Sequence, residues 1–397
     1  MIGVLRQTAI YREGASGRRP RVPTDAAALE ERARTAMSRE AFAYVAGGAG
    51  TGATIRANRE GFDRLRIVPR MLRDVSARDS GIELLGRRLP SPFLLSPVGV
   101  LELAHEDADL AVARAAAAEG VPMILSNQAS KSMEACAEAL GQGPRWFQLY
   151  WSASNDLVES FVRRAEACGC EAIVVTLDTT LLGWRTHDLD LAYLPFLHGM
   201  GIAQYTSDPV FSEIVAAEPA QLGPEESAAV QTFTRIYSRP SLSWEDLPFL
   251  RECTKLPILL KGILHPGDAA RAVDEGIDGV IVSNHGGRQV DGATSTIEAL
   301  PGIAAAIAGR VPIVLDSGVR SGADAFKALA LGATAVGIGR PYAYALAIAG
   351  EAGVRELLQN LMADFDLTLG LAGCRSASEI GPEALGSSAS EPAPTPR

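Results

Sequence analysis

The chain has 397 residues, 47% of them hydrophobic and 21% charged, with a formal net charge of −10. That balance is ordinary for a globular protein, and the length suits two average domains or one large α/β barrel with additions. The acidic sum argues against nucleic acid or an anionic membrane as a partner and leaves room only for a local basic pocket.

Five cysteines, Cys136, Cys168, Cys170, Cys253 and Cys374, are too few and of the wrong parity for a disulfide framework. Cys168-Gly169-Cys170 lacks zinc-knuckle spacing and has no second pair, so no metal site is expected. No run approaches the ~18 apolar residues of a membrane span, and the first residues lack a signal-peptide core. The expected setting is cytoplasmic.

Residues 1–22 are polar and Arg-rich, and read as a surface arm before a domain spanning 23–385. Gly47-Gly48-Ala49-Gly50-Thr51-Gly52 follows a helical stretch, Glu40–Val45, and misses dinucleotide-loop spacing, so it reads as a turn. From there an apolar, β-branched run, a Gly/Pro turn and an Ala-rich amphipathic stretch recur. Eight strands are predicted: 93–98, 121–126, 145–149, 172–176, 258–261, 279–283, 312–316 and 335–338. Helical stretches at 107–119, 157–168, 268–275 and 323–331 lie between them, with Gly120, Gly169, Gly276 and Gly332 as left-handed helix stops. Eight such units predict a (β/α)8 TIM barrel with an N-terminal helical segment. About 80 residues separate the fourth strand from the fifth, so a long loop follows strand 4. Its stretch from about 189 to 243 shows no clear period and is expected to act as a lid. Residues 386–397 are Ser/Pro/Ala-rich and expected to be a disordered tail.

Barrels carry their chemistry at the C-terminal strand ends. Here those ends are polar although the strand interiors are apolar. The last two carry Asp316-Ser317-Gly318-Val319-Arg320 and Gly337-Ile338-Gly339-Arg340. Glycine backbone beside an arginine is the composition of a phosphate site. Lys261 ends an apolar strand, where a cation calls for an anion or a developing negative charge. Of five histidines only His285 directly follows a strand, in Ser283-Asn284-His285-Gly286-Gly287-Arg288. The glycines admit a ligand close to the backbone, Arg288 suits a carboxylate, and Asp178 is placed to orient the imidazole.

These motifs together resemble the FMN-dependent 2-hydroxy-acid oxidase and dehydrogenase family. The likeness runs from about residue 24 to 384 and includes Phe147-Gln148-Leu149-Tyr150, Thr176-Leu177-Asp178-Thr179, Leu260-Lys261-Gly262 and Gly373-Cys374-Arg375-Ser376. Gly183-Trp184-Arg185-Thr186-His187-Asp188-Leu189, Asp208-Pro209-Val210-Phe211 and Tyr44-Val45-Ala46-Gly47-Gly48 resemble its lactate 2-monooxygenase branch.

The resemblance implies FMN as cofactor, a small L-2-hydroxy acid and O2 as partners, and a homotetramer or homo-octamer. It implies His285 as base with Asp178, and Arg288, Arg185, Tyr44 and Tyr150 around the substrate carboxylate. Lys261 would stand at the flavin N1/O2 edge. Val98, Gly99, Ser126, Gln148 and Thr176 would hold the ring, and Asp316 and Ser283 the ribityl chain. Gly318, Arg320, Gly339 and Arg340 would bind the phosphate. Gln128 departs from the family, whose members often carry an aromatic or apolar residue in that pocket position. Thr180 and Ser317 stand where a proline and a glycine are common. The implied outcome is oxidative decarboxylation, with the keto acid kept in place under the long loop and beside a roomy Gly99. The alternatives are an oxidase releasing keto acid and peroxide, a dehydrogenase using a quinone or cytochrome, and a non-redox phosphate-binding barrel.

Overall fold

The computed structural model describes residues 2–217 and 227–387. Its centre is a closed barrel of eight parallel strands. They are β1 (Phe93–Leu95), β2 (Met123–Leu125), β3 (Arg145–Leu149), β4 (Ile173–Thr176), β5 (Ile258–Ile263), β6 (Gly279–Val282), β7 (Ile313–Leu315) and β8 (Ala335–Ile338). All eight stretches read from the sequence are strands, with small shifts at their ends. Runs such as Ile173-Val174-Val175 are buried along their whole length. A parallel barrel covers both strand faces, so a continuous apolar run rather than an alternating one is required. The ring closes with Val336 opposite Phe93. Gly120, Gly169, Gly276 and Gly332 all have positive φ, as helix stops should.

One irregularity positions the site. The β5–β6 register shifts between Lys261 and Ile263, a bulge that carries β5 past its expected end at Lys261. Gly262 sits there at φ +107, and a Cβ on it would lie 2.8 Å from the Asp178 Cβ. Bulges re-aim neighbouring side chains, and this one lets Lys261 and Asp178 approach each other.

The long connection after β4 is folded rather than aperiodic. It contains helices Thr186–Asp190, Pro195–His198, Ala203–Thr206, Pro209–Ala217 and Ala228–Ile236. Val230, Phe233 and Ile236 recur three apart and are buried, a helical period hidden by the surrounding Pro, Gly and aromatic residues. Within the N-terminal arm, Ile2–Ala15 is a largely exposed helix. Its Gly3 N–H donates to Asp366 at 2.9 Å on the long helix Arg340–Leu371. At the other terminus, Leu385–Ser387 pairs with Leu65–Ile67. Gly386 and Ser387 therefore belong to a strand, and the rest of the expected tail lies outside the described residues. No helix among the described residues is long and apolar enough to cross a membrane.

Arg78 grips Asp366 through two hydrogen bonds of 3.0 and 3.2 Å, with both side chains buried. Removing one partner leaves an uncompensated buried charge. Arg78→Ala is expected to cost about 3 kcal/mol in denaturant unfolding and to loosen the N-terminal helix.

Candidate active site

The strand ends named above converge on one cleft of about 1240 Å³, its open mouth included. At its centre His285 Nδ1 lies 2.7 Å from Asp178 Oδ1 and 3.1 Å from Thr179 Oγ1. A carboxylate only accepts hydrogen bonds, so Nδ1 carries the proton and Nε2 is left with a free lone pair. His285 holds φ +56 and is followed by Gly286 and Gly287, also at positive φ. A left-handed non-glycine residue costs roughly 1–2 kcal/mol. Such strain at a strand end marks a turn whose shape serves a site. Ser317, also left-handed at φ +71, borders the same turn.

The charges decide the protonation states. Burial pushes the Asp178 carboxyl up, but His285 and Lys261 outweigh it and hold the group at about 2. Burial lowers the His285 imidazole below its ordinary value, with Lys261 helping and Asp178 opposing. The ring is therefore neutral near pH 7, as a proton acceptor must be. Lys261 is buried, yet Asp316 and Asp178 raise it, so it stays cationic. Its Nζ lies 3.0 Å from Ser283 Oγ, 3.6 Å from Asp316 and 3.9 Å from Asp178.

Two guanidiniums stand on one side of His285. Arg288 lies over the Tyr44 ring at 4.8 Å and donates to the carbonyls of Tyr44 and Gly47. Arg185 donates to Gln289 Oε1 at 3.1 Å. Both line the cleft beside Tyr44 and Tyr150. Burial, then Arg185, pulls the Arg288 pKa down. An anion between such cations relieves that repulsion. Tyr44 is set by helix Arg39–Ala46, which Ser38 caps through the Ala41 N–H. The glycine turn at 47–52 also has a role, since the Gly47 carbonyl accepts from both Arg288 and Arg340.

At the other end Arg320 and Arg340 line the cleft with Gly318 and Gly339. Neither arginine pairs with a carboxylate among the described residues. Helix Arg340–Leu371 begins here, directly after β8, and offers the positive end of its dipole. Gly318 has a second reason to be glycine. It holds φ +101, and a Cβ would lie 3.0 Å from the Asn58 carbonyl.

FMN fits these residues. Gln148 Nε2 and Thr176 Oγ1 are buried without a partner among the described residues, and Ser126 Oγ lies 3.3 Å from Gln148 Oε1. Unpaired buried polar atoms at strand ends suit the polar edge of a flavin ring. Lys261 beside them suits its N1/O2 edge, Asp316 and Ser96 line the middle, and the arginines suit the phosphate. When bound, FMN supplies the two-electron acceptor. Ser283 has a further part to play. It is fully buried and accepts from Lys261 and the His285 N–H, so it braces those residues.

Gly99 differs from expectation. A Cβ there would lie 2.8 Å from the Gln128 carbonyl, so its bareness lets the β2 end close in rather than leaving space. The Gln128 side chain lines the cleft and is largely buried. The sequence reading missed the walls Leu194, Phe196, Phe233, Thr234 and Tyr237, all from the long connection. The three-residue spacing of Val230 and Phe233 was the available signal. It missed Thr179 as well, which adjoins Asp178 in sequence and donates to it at 3.0 Å.

A closed eight-stranded barrel with this cleft defines a flavin-dependent oxidoreductase of 2-hydroxy acids. Residues 33–387 match the FMN-dependent dehydrogenase family, and the chain belongs to it. It is similar to an L-lactate oxidase of Lysinibacillus sphaericus, 44% identical over 84% of this chain and 85% of that protein. It is also similar to a 4-hydroxymandelate oxidase of Amycolatopsis orientalis, 43% identical over 88% and 94%. A crystal structure of mandelate oxidase with (S)-4-hydroxymandelic acid superposes with a TM-score of 0.81 at 41% identity, covering 92% of this chain and 98% of that one.

Two outcomes follow. Because His285 accepts protons only when neutral and its pKa is lowered, kcat/KM should rise with pH along an acidic limb below the ordinary histidine value. Asp178→Asn, which removes the partner that favours imidazolium, should move that limb lower and cut kcat about a hundredfold or more; stopped-flow flavin reduction across pH checks both. Arg320→Met with Arg340→Met should weaken FMN binding by at least about tenfold, measured by absorbance titration of the apoprotein.

Proposed function

We propose that this enzyme oxidises a small L-2-hydroxy acid to its 2-keto acid with O2 as acceptor, releasing hydrogen peroxide. The observation that carries this reading is the arrangement of two guanidiniums, the buried Arg185 and the half-buried Arg288, beside the neutral imidazole of His285. The arginines hold the substrate carboxylate, with the Tyr44 and Tyr150 hydroxyls near it. That anchoring turns the hydroxyl on the adjacent carbon toward His285 Nε2. His285 takes the hydroxyl proton, and Asp178 stabilises the imidazolium that results. Lys261 places a fixed positive charge where electron density arrives. The oxidase names of the two relatives support the same outcome.

Gln128 and the aromatic wall set the substrate side chain. An amide among Phe196, Phe233 and Tyr237 favours a compact apolar group carrying one hydrogen-bonding function. A second reading, oxidative decarboxylation within the site, is favoured by those wall residues, which close the cleft on one side. Gly99 no longer argues for it.

Product stoichiometry separates the readings. With L-lactate or (S)-mandelate in air, the oxidase reading expects one 2-keto acid and one peroxide per acid consumed. Carbon dioxide with the one-carbon-shorter acid, and no free peroxide, would establish the second reading.

A further inference from the structure

Ser317 stands at a position where its backbone is ill suited to a side chain. Its φ is +71, in the left-handed region that favours glycine. Its backbone is held there, because its carbonyl accepts from Thr296 Oγ1 at 3.0 Å. Its hydroxyl is fully used. It accepts from the Gly286 N–H at 2.9 Å and the Asn284 N–H at 3.4 Å, and donates to Asp316 Oδ1 at 2.8 Å. One donor and two acceptor sites are all that a hydroxyl has.

The two N–H groups it holds flank His285, which is itself left-handed. The carboxylate it holds is the nearer counterion of Lys261. One hydroxyl at the end of β7 thus ties the turn after β6 to the anion that faces β5. Glycine would suit the φ better but would make none of these bonds.

We infer that Ser317 is a positioning residue for the base, its hydroxyl fixing the His285 turn so that the imidazole stays aligned with Asp178. The inference rests on His285 being the base. The charged and titratable groups around that imidazole are Asp178 after β4, Lys261 on β5, Arg185 from the long connection, and Arg288 on its own turn. Tyr44 and Tyr150 line the same cleft. With the turn released, contact with Asp178 weakens while Lys261 and the arginines remain, so imidazolium is disfavoured.

The test uses the full FMN-loaded chain as wild type, Ser317→Gly, Ser317→Ala and His285→Asn. Three quantities are measured: Tm, anaerobic flavin reduction by whichever of L-lactate and (S)-mandelate bleaches the wild type, and the His285 imidazole pKa by NMR titration, assigned through His285→Asn. Ser317→Gly is expected to match or exceed the wild-type Tm, because its backbone strain is relieved. Its reduction rate should fall about ten- to a hundredfold, with half-saturation within about twofold and the imidazole pKa lowered. Ser317→Ala should show the same kinetic loss with a lower Tm. A Ser317→Gly enzyme with wild-type rate and imidazole pKa overturns the inference. A rate loss that merely tracks a fall in Tm, with the imidazole pKa unchanged, overturns it too. If His285→Asn reduces flavin at the wild-type rate, the base assignment falls and this inference with it. An inactive His285→Asn beside an unaltered Ser317→Gly removes this inference alone.

Discussion

The Asp178 carboxylate sits between two partners, His285 at 2.7 Å and Lys261 at 3.9 Å, and the site is organised around it. A buried carboxylate resists ionisation unless cations surround it. Here the Lys261 ammonium and the Nδ1–H donor of the neutral His285 ring do that work, and the ionised group in turn selects the tautomer of His285 and keeps Lys261 charged. The approach of these groups depends on backbone features. The bulge at Gly262 allows the contact with β5, and the left-handed turn at His285 delivers the ring from β6.

The cleft carries more positive than negative charge. Lys261 is balanced by Asp178 and Asp316, but Arg185, Arg288, Arg320 and Arg340 make no ion pair among the described residues. A chain with a net charge of −10 has concentrated uncompensated cations at one end of its barrel. Arg185 is buried and the other three are half-buried, and cations so far withdrawn from water favour anionic ligands. Their two groupings, one beside His285 and one at the start of helix Arg340–Leu371, are each suited to an anionic group.

The uncharged walls of the cleft arise elsewhere. Gln128 comes from the β2 end, while Phe196, Phe233 and Tyr237 come from the long connection. That connection is tied down from below. Tyr205 is buried and donates to Asn127 Oδ1 at 2.8 Å, and Gln204 bonds the loop that follows β2. Its walls therefore stand on the strand ends that enclose the cleft. The charged centre and the remaining walls are thus built on one support by different segments.

The strands, their order and most charged site residues were legible in the sequence, because a buried parallel strand must be an apolar run and its polar end must be a local exception. His285, Asp178, Lys261, Arg288, Arg320 and Arg340 stood out in that way, while Arg185 came only with the family resemblance. The N-terminal helix and the helices of the long connection were harder to read, since their burial comes from packing against distant helices and strand ends rather than from a strong local period. The finer roles were not legible at all. That Ser283 braces Lys261, that Gly99 admits the Gln128 backbone, and that Ser317 holds the turn of the base are facts of distance between different strand ends. One-dimensional order places a residue at a strand end; only the closure of the barrel decides which other ends it meets.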